Sequence, residues 1–168
     1  MSATDWISLG SAVVSVLALV GTIYFSKQAG NHAERANLIA VGEAETGLRM
    51  AISTARMRTE DAGLRLNELL NGRSKSDLLP AEKNRFEFYE KVFVSSVEDF
   101  LNAYEDACSK YHDKKIDCDR FRKMYFAEIR KLCEGNIQTS PMYGLMHPEG
   151  TSKYHAVWKT YHEWYSQV

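Results

Sequence analysis

The chain has 168 residues, enough for one ordinary domain with a single core plus a short extra segment. Its 21 Lys and Arg nearly balance 22 Asp and Glu, and no run of five basic residues occurs, so direct nucleic-acid binding is not expected. Three cysteines without a close CxxC pair favour reduced thiols in a cytosol over a disulfide framework.

The first predicted element is a transmembrane helix from Trp6 to Phe25. This stretch contains no charged residue, and at about 1.5 Å per residue it spans roughly 30 Å, the thickness of the hydrocarbon core of a bilayer. No Lys or Arg precedes it, whereas Lys27 and Arg35 follow, so the positive-inside rule places the N-terminus outside and residues 27–168 in the cytoplasm. The missing basic n-region argues against a cleaved signal peptide. We therefore expect residues 1–26 to act as a single-pass anchor in contact with membrane lipid.

One face of this helix carries small polar residues at spacings of three, four and seven: Ser8, Ser11, Ser15 and Thr22. Small residues allow close approach of helix backbones, and their hydroxyl groups can bond across an interface or line a narrow pore. Three interpretations follow from this pattern. The face is a self-association surface, a pore lining, or a set of serines bonded to carbonyl groups of their own helix.

A second feature of the N-terminal half is an amphipathic pattern beyond the anchor. No proline occurs from Met1 to Leu79, so the helix is predicted to continue out of the membrane and to end near Gly72. Apolar and small residues recur on one side of it, among them Val41, Leu48 and Ile52. We expect these three side chains to pack between subunits or against a partner.

A second long helix is predicted to begin at Pro80, with Glu82 in its first turn. A third helix follows, with Asp117 as its N-cap residue and Gly135 as its stop. The apolar residues of these two helices recur at spacings of three and four, which predicts one buried face on each: Phe86, Tyr89, Phe93, Val97, Phe100, Tyr104 and Ala107 on the former, and Phe121, Met124, Tyr125, Ile129 and Leu132 on the latter.

The C-terminal part is predicted to contain an irregular connection and one last helix. Residues 136–150 include two prolines and two glycines, which favours a connection without regular structure. Thr151 is a candidate cap for a helix in which Tyr154 and Trp158 belong to an aromatic stripe. The stripe is typical of a buried core, and an exposed stripe would instead indicate contact with a partner or with the membrane surface. Tyr154 and Trp158 are our candidates for contact with a partner or a second subunit.

No alternating β-like pattern appears anywhere in the chain. The predicted fold class is therefore all-α: an N-terminal transmembrane helix, residues 1–26, followed by a cytoplasmic bundle of about four helices, residues 27–168.

Familiar catalytic and metal-binding motifs are absent from the sequence. There is no HExxH, glycine-rich phosphate loop, GxSxG or EF-hand loop. Asp113, Asp117 and Asp119 fit a turn and a helix cap better than a calcium loop. A pair such as Glu105 with His112 is a candidate for acid–base work, although solvated helix faces explain both residues. We expect no enzymatic activity and no catalytic residue.

A metal site is also not expected. The candidate ligands are Cys133, His147, His155 and His162, but their spacing matches no common zinc pattern. We therefore expect neither a metal nor another cofactor.

One run of residues resembles a pattern found in small bacterial single-pass membrane proteins: Asn102, Tyr104, Glu105, Cys108, Tyr111, Lys115, Ile116, Asp117, Phe121 and Tyr125. The layout also resembles that of the accessory membrane proteins of type VI-B CRISPR systems, in which a short span precedes a HEPN-like helical domain. This resemblance implies a multimeric effector that permeabilises the bacterial inner membrane during phage infection. No Arg stands four to six residues before a His, as active HEPN nucleases require, so a structural role of the helical domain is implied.

Two functional hypotheses follow. The leading one is a non-enzymatic inner-membrane protein that forms homo-oligomers, with Ser8, Ser11, Ser15 and Thr22 facing the symmetry axis of a pore. The alternative is a membrane-anchored module that recruits a cytosolic protein partner.

Overall fold

The computed structural model describes residues 3–135, 140–148 and 151–165, with side chains described from residue 19 onward except at 20, 21 and 23. Within these ranges the chain is all-helical and contains no strand, which confirms the predicted fold class at this level. A 3₁₀ turn, Lys75–Asp77, interrupts the loop after the first helix. The five α-helices are α1 Ala3–Leu70, α2 Pro80–His112, α3 Cys118–Cys133, α4 Pro141–Met146 and α5 His155–Tyr165.

The chain divides into two compact units, Met1–Gly42 and Glu43–Val168. The first unit is helical over its described backbone, and the apolar side chains of Leu19, Tyr24, Phe25, Leu38 and Ile39 are exposed. The second unit contains the hydrophobic core.

The predicted transmembrane segment falls mostly outside the described side chains. Over the described residues, no helix carries a stretch long and apolar enough to cross a membrane. The described structure therefore gives the segment Trp6 to Phe25 no support, and this segment and the boundary at residue 26 stay predictions.

Local sequence signals explain the start and end of the long helices. After α1, Asn71 and Gly72 both have positive φ angles, 44° and 78°, which turn the chain and which glycine adopts without strain. Pro80 opens α2, where its fixed φ suits the first helical position, and the Glu82 carboxylate accepts the backbone N–H of Leu79 at 2.9 Å. Asp117 caps α3 as predicted, because its side chain accepts the backbone N–H of Arg120 at 3.0 Å.

Three details of the predicted elements are wrong. The connection after α3 contains the short helix α4, which Pro141 can open because proline lacks only an N–H that the first turn does not use. The last helix begins at His155 and not beside Thr151. Met124 is 43% exposed, because the buried face of α3 is rotated toward Cys133 and leaves Met124 at its edge.

In the core of the second unit, α4 and α5 pack against α2 and α3. The C-terminal part of α1 contacts α2, where the Thr59 hydroxyl donates to the Ser96 carbonyl oxygen at 3.0 Å. Rings contribute much of the core: the Tyr104 ring contacts Phe100 and Tyr125 edge-on at centroid distances of 5.0 and 5.9 Å. Such T-shaped pairs each add about 0.5–1.5 kcal/mol beyond the burial of apolar area. The glycine at 63 lies under the Phe93 ring, where an added Cβ would stand 3.5 Å from the ring edge.

Candidate interaction surface

The predicted interface residues of the first long helix have different environments. Leu48 and Ile52 are only 5% and 3% exposed and belong to the chain's own core. Val41 lies in the first unit and is half-buried. Leu48 and Ile52 therefore contribute their apolar area within the chain and present almost none to a second subunit.

Most of the predicted pore-lining side chains are not among those that the structure describes. The side chains of Ser8, Ser11 and Ser15 are outside the described residues, and Thr22 is exposed. Their role stays a prediction.

The aromatic stripe of α5 is mainly a core element. Tyr154 is 1% exposed, while Trp158 is half-buried and donates its indole N–H to the carbonyl oxygen of Met146 at 3.2 Å. Trp164 stacks on Phe126 at 6.0 Å and donates its N–H to the hydroxyl oxygen of Tyr111 at 3.1 Å. Because Tyr154 is buried and both indole N–H groups have acceptors inside the chain, the stripe as a whole is not a free partner surface.

A polar network joins three helices at the edge of the core. The Arg56 guanidinium of α1 donates to a carboxylate oxygen of Glu128 in α3 at 2.7 Å and to the hydroxyl oxygen of Tyr104 in α2 at 3.3 Å. The Tyr104 hydroxyl in turn donates to Glu128. Burial and the neighbouring Glu128 charge raise the pKa of Tyr104 far above its ordinary value, so the phenol stays a proton donor. The network fixes the three helices to one another and shows no substrate cavity.

Glu105 and His112, the candidate acid–base pair, have separate structural roles. The Glu105 carboxylate accepts the backbone N–H groups of Ala156 at 2.9 Å and Val157 at 3.1 Å, and so caps the first turn of α5. The hydroxyl of the fully buried Thr160 donates to the Ala156 carbonyl, so it accepts from Nε2–H of His112 at 3.0 Å. Both side chains hold α5 in place.

The thiols and histidines do not form a reactive or metal-binding group. Burial raises the pKa of Cys108 and of Cys133 to about 12, which keeps both in the unreactive thiol form. Among the described residues, no three His, Cys, Asp or Glu side chains stand close enough to hold a metal ion.

An apolar groove of about 660 Å³ lies between α1 and α2 in the second unit. Two rim side chains of α2 are strongly exposed apolar groups: Phe88 is 62% and Val92 is 41% exposed. Arg58, Lys91 and Asp99 add charge of both signs. An exposed aromatic ring beside unfilled apolar area is typical of a surface that contacts another molecule.

Sequence reasoning did not identify this groove. The spacing of apolar residues in α2 correctly predicts its buried face. The same spacing does not show whether Phe88, on the opposite face, is covered by another part of the chain. The signal that could have found it is the pair of apolar residues, Phe88 and Val92, on an otherwise polar face.

No protein-family model, curated protein or solved structure matches the chain.

Proposed function

We propose that the protein is a non-enzymatic inner-membrane protein whose anchored copies associate with one another. This proposal agrees with the permeabilising antiphage effectors that its layout resembles. One observation carries the proposal: the stretch from Trp6 to Phe25 has no charge and lies in a helical segment. Apolar side chains near its end, Leu19, Tyr24 and Phe25, are 63–68% exposed, which is costly in water and favourable in lipid.

The self-association part of the proposal depends on the serine face. Hydroxyl groups at positions 8, 11, 15 and 22 recur on one side of the helix, whereas Val14 and Leu17 lie on the other. Close packing of small faces is a common mode of helix association in bilayers, and a ring of such faces would surround a narrow polar path.

The pore version is tested with the double variant Ser11→Leu and Ser15→Leu, with Leu17→Ile as the control on the opposite face. On overexpression, a voltage-sensitive dye should report depolarisation for the wild type and for Leu17→Ile but not for the double variant. Unchanged depolarisation in the double variant would rule out the pore. Vesicle flotation of all three proteins separates loss of a pore from loss of the anchor.

The second candidate function is an anchored module that recruits a cytosolic protein. The groove between α1 and α2, with the exposed Phe88 ring, supports it. Deletion of residues 1–26 should then abolish flotation with vesicles while binding of the partner in a pull-down persists. Loss of binding together with the anchor would contradict this candidate.

A further inference from the structure

Helix α1 has an apolar face that its own chain does not cover. Met50, Met57 and Leu64 are 66%, 59% and 61% exposed, although each side chain is large and apolar. Ala55, two residues before Met57, is buried in the core, and two residues of an α-helix lie about 160° apart around its axis. The three exposed side chains therefore point away from the core of the second unit. We call them the α1 outer face.

The members of the α1 outer face recur every seven residues. An apolar repeat of seven is the pattern with which helices pack along one another in a left-handed supercoil. Continued toward the N-terminus, the same repeat contains mostly small residues: Glu43, Ala36, Ala29, Thr22, Ser15 and Ser8. The last three belong to the predicted association face of the membrane span. That face and the α1 outer face thus occupy one position of a single seven-residue repeat.

The membrane anchor determines how two copies would meet. Two copies inserted in one bilayer with the same orientation extend their α1 helices in the same direction, and equivalent residues stand at the same height. A face that repeats every seven residues then meets an identical face in register. An antiparallel pair would direct the two spans away from each other and could not share the bilayer.

We propose that the occupant of the α1 outer face is α1 of a second copy of this chain, packed parallel and in register. Met50, Met57 and Leu64 supply the apolar area of the contact. The proposal rests on the proposed function, because the shared bilayer gives both helices one direction.

The area of the face determines the strength of the contact. From Met50 to Leu64 the helix rises about 21 Å, so a face about 10 Å wide covers roughly 200 Å² per partner. A standard interface covers about 800 Å² per partner. The pairing is therefore weak for chains free in solution, and anchoring in one bilayer favours it by raising the effective concentration.

One charge beside the face opposes the contact. Glu60 stands three residues after Met57 and is exposed, and in the described part of the chain it has neither a hydrogen bond nor an ion pair. A parallel pair in register brings the two Glu60 carboxylates toward each other, and like charges repel. Replacing this residue by a neutral one should therefore strengthen the contact.

Cysteine cross-linking in proteoliposomes tests the arrangement, with the full chain carrying Cys118→Ser so that the two remaining thiols are buried. Met50→Cys and Met57→Cys, made separately, should each form a cross-linked dimer on mild oxidation. In an antiparallel pair only a residue at the two-fold axis could cross-link with its own copy. Ala51→Cys is the matched control, because it is equally exposed to solvent but lies about 100° around the helix from Met50.

Two further changes in the Met50→Cys chain test the chemistry of the contact. Met57→Ser combined with Leu64→Ser should lower the cross-linking yield about tenfold, because the face loses most of its apolar area. Phe88→Ser combined with Val92→Ser is the control, since it removes exposed apolar side chains of α2 and should leave the yield unchanged.

The Glu60→Gln change should raise the Met50→Cys yield about twofold, as expected when one like-charge pair at a helix surface is removed. Glu87→Gln, at an exposed position of α2, should not change it. A yield that falls or stays the same in Glu60→Gln would contradict the parallel register.

The cross-links themselves decide the proposal. Equal yields at Ala51→Cys and Met57→Cys would indicate random collision, and a cross-link at only one of Met50→Cys and Met57→Cys would exclude the parallel register. Vesicle flotation, measured on the same samples, keeps the two proposals apart. A chain that floats but forms neither cross-link contradicts the α1 contact alone. A chain that forms both cross-links without floating contradicts the membrane function alone.

Discussion

Single side chains, and not sequence motifs, hold the helices of the second unit together. Tyr104 is the clearest case, because its fully buried ring lies in the core and its hydroxyl lies between the charges of Arg56 and Glu128. A hydrogen bond to a charged group contributes more than a neutral one, and its loss leaves a partly buried acceptor with one partner fewer.

The first prediction concerns this hydroxyl. Tyr104→Phe should lower the free energy of unfolding by about 2 kcal/mol, because Glu128 loses a donor while the ring packing stays. Chemical denaturation measures the change. Tyr89→Phe on the same helix is the control, since the Tyr89 hydroxyl has no partner in the described structure and its removal should change stability little. Equal effects of the two variants would contradict the network.

The second prediction concerns the cysteines. Cys118 is half-buried, whereas Cys108 and Cys133 are 0% and 3% exposed with pKa values raised to about 12. A maleimide should therefore modify the native protein at Cys118 only, and all three thiols after denaturation. Mass spectrometry of the digested protein locates the label. Labelling of Cys108 in the native state would show that α5 opens readily.

At the scale of the helices, two helix starts are held by carboxylates, one from the helix's own first turn and one from another helix. Glu82 accepts the Leu79 N–H and also pairs with Arg73 at 3.0 Å, which ties the loop before α2 to its first turn. Glu105 caps α5 from the middle of α2. Each carboxylate stabilises its helix start in this way only when it is ionised.

The third prediction follows from the Glu82 carboxylate. The Arg73 guanidinium and the Leu79 N–H lower the pKa of Glu82 below its ordinary value of 4.5. The folded state thus binds a proton at Glu82 less tightly than the unfolded state does. The contribution of the ionised carboxylate to the free energy of unfolding is therefore complete above pH 4.5 and is lost as the pH falls through the lowered pKa. The difference in thermal midpoint between wild type and Glu82→Gln should be present at neutral pH and shrink below pH 4.5. Glu87→Gln, at an exposed residue of the same helix, is the matched control for loss of one carboxylate charge.

The fourth prediction concerns the cap of α5. Glu105→Gln removes a negative charge from the N-terminus of the helix and one of two accepting oxygens, which should cost about 1 kcal/mol. Amide hydrogen exchange at Ala156 and Val157 should accelerate about fivefold, since exchange follows the free energy of local opening. Glu98→Gln, which breaks only the exposed pair with Lys153, should leave these amides unchanged.

Sequence patterns predicted the elements better than the contacts between them. Pro80 and Asp117 mark helix starts because their chemistry acts within a single turn. The start of α5 at His155 could not be predicted, because its cap comes from Glu105 about fifty residues earlier. Likewise, nothing in the spacing of Arg56, Tyr104 and Glu128 indicates that they meet.

At the scale of the whole molecule, the described core lies in the second unit. Among the residues whose side chains the structure describes, all buried members of the core lie between Leu48 and Trp164. The stability of the helical domain should therefore not depend on the N-terminal segment.

The fifth prediction follows directly. A fragment of residues 43–168 should fold, with a thermal midpoint measured by circular dichroism within a few degrees of that of the full chain, because no core contact is removed. A fragment that begins at Ala55 is the control: it lacks Leu48 and Ile52 and should unfold at a clearly lower temperature. Failure of the longer fragment to fold would show that the first unit supports the second.

The position of Trp164 in the core also governs how the domain reaches its native state. Its indole N–H bonds to Tyr111, 53 residues earlier in the chain, and α5 is the last helix along the described chain. Contacts this distant in sequence require closure of a long loop and form late. Until then the rings of Tyr111, Phe121 and Phe126 that pack against Trp164 stay uncovered. The incompletely folded chain therefore exposes an aggregation-prone aromatic surface. Conditions that delay packing of α5 against the other helices will favour aggregation over folding.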